Sequence, residues 1–211
     1  MSNLKKVFSF LPQFLILAGL SILLLTFGWP LFYELKFRLH QFSPKQYQAL
    51  QLNEVNRQTG KEEGKIEKIV PVSYDFGIVI PKIDANARVF PNIDPNKEEE
   101  FLPILRKGVA HAKGSSFPGQ GKNIYLFAHS TDAFYHLGRY NAVFYLIGKL
   151  ELGDEIDIFY KDKLFKYFVF EKKVVPPQAV EYLKSSGEEI LTLQTCYPPG
   201  TTLRRLIVRA R

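Results

Sequence analysis

Residues 190–211 read Ile190-Leu-Thr-Leu-Gln-Thr-Cys-Tyr-Pro-Pro-Gly-Thr-Thr-Leu-Arg-Arg-Leu-Ile-Val-Arg-Ala-Arg211. Two short runs rich in branched residues, Ile190–Thr195 and Arg205–Arg209, flank the turn signal Tyr197-Pro198-Pro199-Gly200, which predicts two strands around a turn. Side chains alternate faces along a strand. Leu191 and Leu193 therefore share one face of the first run, and Thr192, Gln194 and Cys196 share the other. In the second run Leu206, Val208 and Ala210 oppose Arg205, Ile207 and Arg209. With the leucines and the small apolar set in a core, Cys196 and Arg205 project from the outer surface. Adjacent antiparallel strands then bring the thiol and the guanidinium together.

The same texture begins near Val70. Phe76–Ile80, Asn123–Ala128, Glu155–Tyr160 and Leu164–Phe170 also read as strands, separated by Gly, Pro, Asn and Asp clusters. Short helices are predicted at Glu98–Lys107 and around Ala142–Ile147. At least six strands over residues 71–211, without a strand–helix–strand rhythm, predict a mainly β domain closed or nearly closed into a barrel.

Val7 to Tyr33 holds 27 residues without a charged side chain. About 20 helical residues cross a hydrocarbon layer of ~30 Å, so residues 1–33 are expected to form a short cytoplasmic N-terminus and a transmembrane helix. A cleaved signal peptide has a shorter apolar core and small residues at its cleavage site; Thr26-Phe-Gly28 before Trp29-Pro30 does not supply them. Lys5 and Lys6 before the run are nearly balanced by Lys36 and Arg38 after it, so charge alone does not orient the span. Residues 34–70 are expected to form a juxtamembrane helix, capped by Ser43-Pro44-Lys45-Gln46 and carrying Tyr47, Leu50 and Val55, followed by a charged tether from Lys61 to Lys68. The net charge is +7, of which residues 1–60 hold +4. That excess is placed to meet anionic lipid, and the near-balanced remainder carries no basic block of the nucleic-acid-binding kind.

There is one cysteine, so an outer domain cannot close an internal disulfide; an unpaired thiol at a strand end is a candidate reactive group, the alternative being a buried, inert cysteine. A nucleophilic thiol needs an acid–base partner. Of the four histidines, His40 lies just beyond the apolar run, and His111 and His136 are compatible with structural roles. His129 leaves an apolar strand and enters the polar loop Ser130-Thr131-Asp132. No spacing resembles a metal site, and neither metal nor cofactor is expected.

The residues in order resemble the sortases. Thr192-Leu-Gln-Thr-Cys196 resembles the family's Thr-Leu-x-Thr-Cys signature. Arg205-Leu-Ile-Val-Arg209 resembles its closing strand with an essential Arg, and Ile124-Tyr-Leu-Phe-Ala-His129 the strand delivering its histidine. Ile78–Ile83, Gly108-Val-Ala-His111 and Phe117–Asn123 fit the earlier landmarks. The resemblance covers about residues 72–211 and implies a sortase-like eight-stranded β-barrel and a two-step acyl transfer. Cys196 would attack the Thr–Gly bond of a Leu-Pro-x-Thr-Gly-like sorting signal on a secreted protein. His129 would move the proton, Arg205 would hold the oxyanion, and Thr195 would shape the substrate groove. An amine on the cell wall or on another protein would resolve the thioester, joining the product to the cell surface. The resemblance also places the catalytic domain outside the membrane.

Arg204 competes with Arg205 for the Arg role, and alternation with Leu206 and Val208 favours Arg205. Asp132 is a candidate to orient the imidazole. Glu98-Glu99-Glu100 is the acidic run where a calcium-binding relative would be examined; a solvated cluster explains it equally well. Papain-like peptidases place Cys before His, the reverse of this chain, and caspase-like ones need a Gly two residues after the Cys, where Pro198 stands. The remaining rival is a membrane-tethered, non-catalytic β-domain for adhesion or scaffolding.

Overall fold

The computed structural model describes residues 2–42, 46–49, 66–130, 143–184 and 187–211. It divides into two compact units, residues 1–45 and 46–211.

The first unit is one continuous helix, α1 (Ser2–Phe42, 41 residues), which takes in the whole uncharged run. Beyond that run an i,i+4 pair, Arg38 Nε to Glu34 Oε1 at 3.2 Å, adds a few tenths of a kcal/mol, about 0.3–0.5. Phe14 and Leu24 are each 69% exposed, and the consecutive residues Leu15, Ile16 and Leu17 are exposed as well. Among the described residues, no helix is long and apolar enough to cross a membrane.

The second unit opens with β1 (Gln46–Ala49) and β2 (Ile66–Ile69). These pair in parallel, Gln46 opposite Ile66. The segment expected to start a juxtamembrane helix is therefore extended over Gln46–Ala49. A helix of a few turns is marginal alone, whereas β1 gains a hydrogen-bonded ladder from β2. Its cap Ser43–Lys45, with Leu50, Val55 and most of the tether, lies outside the described residues.

The remaining strands are β3 (Phe76–Ile80), β4 (Ala85–Ile93), β5 (Val109–Ala112), β6 (Asn123–Phe127), β7 (Glu155–Tyr160), β8 (Lys163–Val175), β9 (Ile190–Tyr197) and β10 (Arg204–Ala210). They close an eight-stranded barrel in the order β10-β8-β7-β3-β4-β5-β6-β9, with β9 pairing back onto β10. Two neighbour pairs are parallel, β4–β5 and β6–β9. The others are antiparallel.

Pairing explains the core. Ile78 faces Ile158, Ile124 faces Leu191, Leu126 faces Leu193, and Leu193 faces Val208. All are 0% exposed, so these alternate positions of β3, β6, β7, β9 and β10 join one apolar face. Complete burial of such a side chain is worth roughly 1.5–3 kcal/mol. Between β7 and β8 the turn residues Lys161 and Asp162 both have positive φ, 49° and 64°, the pattern of a two-residue hairpin.

β4 and β5 are the strands that periodicity does not pick out. β4 alternates in burial over residues 85–90, then carries Pro91 and Asn92 and breaks its register against β5 between Phe90 and Ile93. β5 is four residues buried on both faces, and a short two-sided strand shows no alternation. Gly108 precedes it where a Cβ would stand 2.4 Å from the Arg88 carbonyl oxygen, so only glycine lets β5 approach β4.

Helix α2 (Glu98–Leu105) falls within the predicted Glu98–Lys107. Around Ala142–Ile147, by contrast, the described backbone is a turn followed by a 3-10 helix, Ile147–Lys149. Gly148 disfavours an α-helix there, and Lys172 Nζ takes the Gly148 and Leu150 carbonyls at 2.9 and 2.7 Å.

Asp157 on β7 is fully buried, and neither carboxylate oxygen finds a hydrogen bond among the described residues. Burial first, then the neighbouring Glu155, pushes its carboxyl up to about 7, against the pull of Lys166.

Candidate active site

Cys196 and Arg205 are direct partners across β9 and β10, so their side chains leave the same face. Arg204 pairs instead with Tyr197, one residue out of step with the thiol. On the other side β6 runs parallel to β9, with Phe127 level with Gln194 and Ala128 N–H donating to the Gln194 carbonyl at 3.2 Å. Carried two residues past its last pair, this register sets His129 level with Cys196. Continued in that register, one row across the segment that follows β6, then β9 and β10, takes in His129, Cys196 and Arg205, with paired strands spaced about 4.8 Å apart. Cys196 is a free, partly exposed thiol, and His129 and Arg205 are partly exposed as well.

Thr195, expected to shape the groove, points the other way. It is 3% exposed and its hydroxyl donates to the Ala128 carbonyl at 2.9 Å. It shares the face of Leu191 and Leu193, and it ties β9 to the residue just before His129. Its contribution is to hold the row together from beneath.

Arg205 Nη1 donates to the Thr202 and Arg204 carbonyls at 3.1 and 3.2 Å. Among the described residues no carboxylate pairs with it. Arg209, on the same face of β10, differs: it bonds Glu171 at 2.7 Å and lies over the Phe170 ring. Among the described residues, then, the guanidinium across from the thiol has N–H donors that no carboxylate takes, and such a fork suits an incoming anion or carbonyl oxygen.

Tyr125, in the middle of β6, is 2% exposed, and its hydroxyl donates to Gln194 Oε1 at 2.5 Å. Burial pushes its ionisation well above the ordinary phenol range, while the Arg205 charge works against this. The phenol stays a neutral donor and leaves the Gln194 amide nitrogen for other partners.

Of the other histidines, His111 is fully buried. Its Nδ1 accepts from Asn92 N–H at 3.2 Å, which puts the proton on Nε2, facing the Ser116 carbonyl at 3.0 Å. Burial holds its pKa below the ordinary value, and its ring stacks on Phe117 at 4.4 Å. It is a packing residue. His136 and Asp132 lie outside the described residues. At Glu98–Glu100, Glu100 Oε1 accepts from Asp94 N–H at 3.2 Å, and among the described residues no group of three or more possible metal ligands assembles.

Two further features bear on the site. Glu189, just before β9, accepts from Gly119 and Gly121 N–H at 3.1 and 2.8 Å and from the Tyr167 hydroxyl at 2.7 Å. Burial would raise its pKa, but these donors together hold it below the usual carboxylate range. Asn123 and Tyr125 share the outer face of β6, opposite Ile124 and Leu126. The alternation was readable there, but only the pairing of β6 with β9 shows what those two residues meet.

A family model described as "Sortase domain" matches residues 78–211, well over half of the chain. Sortase D of Bacillus subtilis (strain 168) is 30% identical over 133 residues, covering 61% of this chain and 59% of that protein. The chain thus spans less than two thirds of the length of that relative. Sortase C from Clostridium perfringens SM101 superposes with a TM-score of 0.51 at 31% identity, over 64% of this chain and 66% of that one. A lid mutant of sortase A from Corynebacterium diphtheriae gives 0.54 at 25% identity, over 75% of each chain. With the eight-stranded barrel and the matched residues in hand, the chain belongs to the sortase family.

Proposed function

We propose that this protein is a cysteine transpeptidase that cleaves a Leu-Pro-x-Thr-Gly-like sorting signal between Thr and Gly and transfers the acyl group to an amine. The observation that supports this reading is the facing pair Cys196 and Arg205 across β9 and β10, with His129 two residues past the last pair of β6 with β9. In the first step the Cys196 thiolate attacks the Thr carbonyl carbon. The oxyanion that forms is met by Arg205. As the C–N bond breaks, His129 delivers a proton to the departing amine. The resulting thioester is attacked by a second amine, which gives its proton to His129, and the C–S bond breaks to release thiolate and a new amide. The acceptor amine belongs to the cell wall or to another protein, and the product is a surface-attached protein.

The test is mass spectrometry of the full chain in detergent with Leu-Pro-x-Thr-Gly-type peptides and an amine nucleophile. An acyl adduct on Cys196 and an amine-exchanged peptide are expected. No adduct, no cleavage and a Cys196 inert to a thiol alkylator would return the protein to the non-catalytic, adhesive reading. An alkylatable Cys196 without peptide cleavage would remove the substrate class and keep the reactive thiol.

The reading includes a single-pass anchor with the catalytic domain on the outer side of the cell membrane. Its support is the 27-residue uncharged run within α1 and the exposure of large apolar side chains along it, Leu17 at 64% and Leu24 at 69% among them. Each Arg at the centre of a span costs about 2.5–3.5 kcal/mol. The wild-type chain should therefore float with lipid vesicles, and the double variant Leu17→Arg, Leu24→Arg should stay in the soluble fraction. Equal flotation of both would rule the anchor out.

A further inference from the structure

The loop between β8 and β9 is fastened to the start of β6 by one buried side chain. Asn123, at the start of β6, is 4% exposed. Its Nδ2 donates to the carbonyl oxygens of Tyr182 at 2.8 Å and Lys184 at 3.3 Å. Its Oδ1 accepts from the Thr192 hydroxyl at 2.7 Å, and Thr192 is itself fully buried. Carbonyl oxygens only accept, so the amide nitrogen must face the loop and the amide oxygen must face Thr192. All three hydrogen bonds hold in that single orientation, and none of them is within regular secondary structure.

The fastened segment contains the 3-10 helix Val180–Leu183. Tyr182 and Leu183 pack on the cluster that includes Tyr125 and Phe127. Tyr125 in turn bonds Gln194 and feels the Arg205 charge. The 3-10 helix is therefore linked to the face that carries Cys196 and Arg205 through the Tyr125 cluster and Gln194, and Val180 on it is 59% exposed. A three-to-four-residue 3-10 helix has little stability of its own. Its place beside the site is decided by the Asn123 amide beneath it and the packing of Tyr182 and Leu183.

We propose that Asn123 is a positioning residue for peptide binding: by joining Thr192 to the Tyr182 and Lys184 carbonyls, it holds residues 180–184 as a preformed wall of the acyl-donor site. This rests on the transpeptidase reading above. It also assigns Thr192 a task separate from that of Cys196, four residues further along β9.

The experiment compares the full wild-type chain in detergent with Asn123→Ala, Asn123→Asp and Thr192→Val. Hydrogen exchange, Cys196 alkylation, and kcat and KM for a Leu-Pro-x-Thr-Gly-type peptide are measured on each. In Asn123→Ala, amides of 180–184 should exchange about tenfold faster, and KM should rise about tenfold, with kcat and the alkylation rate within about twofold. Asn123→Asp should be at least as damaging, because a carboxylate keeps the acceptor for Thr192 and offers the two carbonyls no donor. Thr192→Val should move the same readouts by less and keeps the comparison open should the Asn123 variants not fold. Unchanged exchange at 180–184 in Asn123→Asp and Thr192→Val overturns the clamp. So does a fall confined to kcat, accompanied by slower alkylation. If the wild-type chain captures no peptide, the transpeptidase reading falls instead, and exchange at 180–184 decides the clamp alone.

Discussion

Cys196→Ala is expected to abolish the covalent peptide adduct and to lower peptide turnover by about 10⁴-fold or more, as loss of a nucleophile does elsewhere. The fold should survive. Cys196 stands near the end of β9 and is partly exposed, so the substitution removes one sulfur while the ladder to Arg205 is made by backbone groups. Stability should stay within about 1 kcal/mol of wild type. Single-turnover mass spectrometry and thermal unfolding by circular dichroism check both halves. His129→Ala should lose turnover on a similar scale, since without it neither the leaving nor the incoming amine has a positioned proton partner. A Cys196→Ala chain turning over within tenfold of wild type would remove Cys196 as the nucleophile. A large loss together with unfolding would remove the claim that its role is chemical.

Arg205→Lys is expected to lower kcat/KM by about 10²–10³-fold, the cost of losing one oxyanion donor. Arg204→Lys should change it by less than about threefold. The contrast tests geometry, because both substitutions keep the positive charge. Arg205 stands opposite Cys196 and Arg204 opposite Tyr197, so only one of the two guanidinium forks faces the thiol. A lysine ammonium has no planar fork, and it does not reproduce two N–H groups aimed at one oxygen while others hold the Thr202 carbonyl. Measuring kcat and KM for both variants settles it. If Arg204→Lys carries the larger loss, the β9–β10 register does not describe the working site.

The row also explains why Thr195 differs from its expected role. Position 195 follows the leucines in the strand alternation, which by itself points it away from Cys196. Its adjacency to the nucleophile in sequence suggested a place in the groove, and period-two geometry overrides adjacency. Thr192 shows the reverse. It lies on the outer face with Gln194 and Cys196, yet it is fully buried. Its hydroxyl bonds Asn123, which in turn holds the Tyr182 and Lys184 carbonyls, and nothing local to β9 announces that link.

Local pattern determined the two closing strands, the strands with clean alternation, the break at Tyr197–Gly200, and the common face of Cys196 and Arg205. Such features follow from branched residues, proline and glycine acting on their immediate neighbours, so they are written in short stretches of sequence. The order of the motifs was sufficient to point to the family. The strand β4, with Pro91 and Asn92 inside it, and the four-residue β5 were not legible, because both owe their form to neighbours rather than to propensity. The extended Gln46–Ala49 is a further case, held by a partner some twenty residues away in β2. Long-range pairing alone runs β6 beside β9 so that its continuation leads His129 toward Cys196, fastens Asn123 to a loop about sixty residues distant, and pairs Arg209 with Glu171 while Arg205, among the described residues, meets no carboxylate. These are contacts between residues far apart in the chain, and their energies exist only once the barrel has closed.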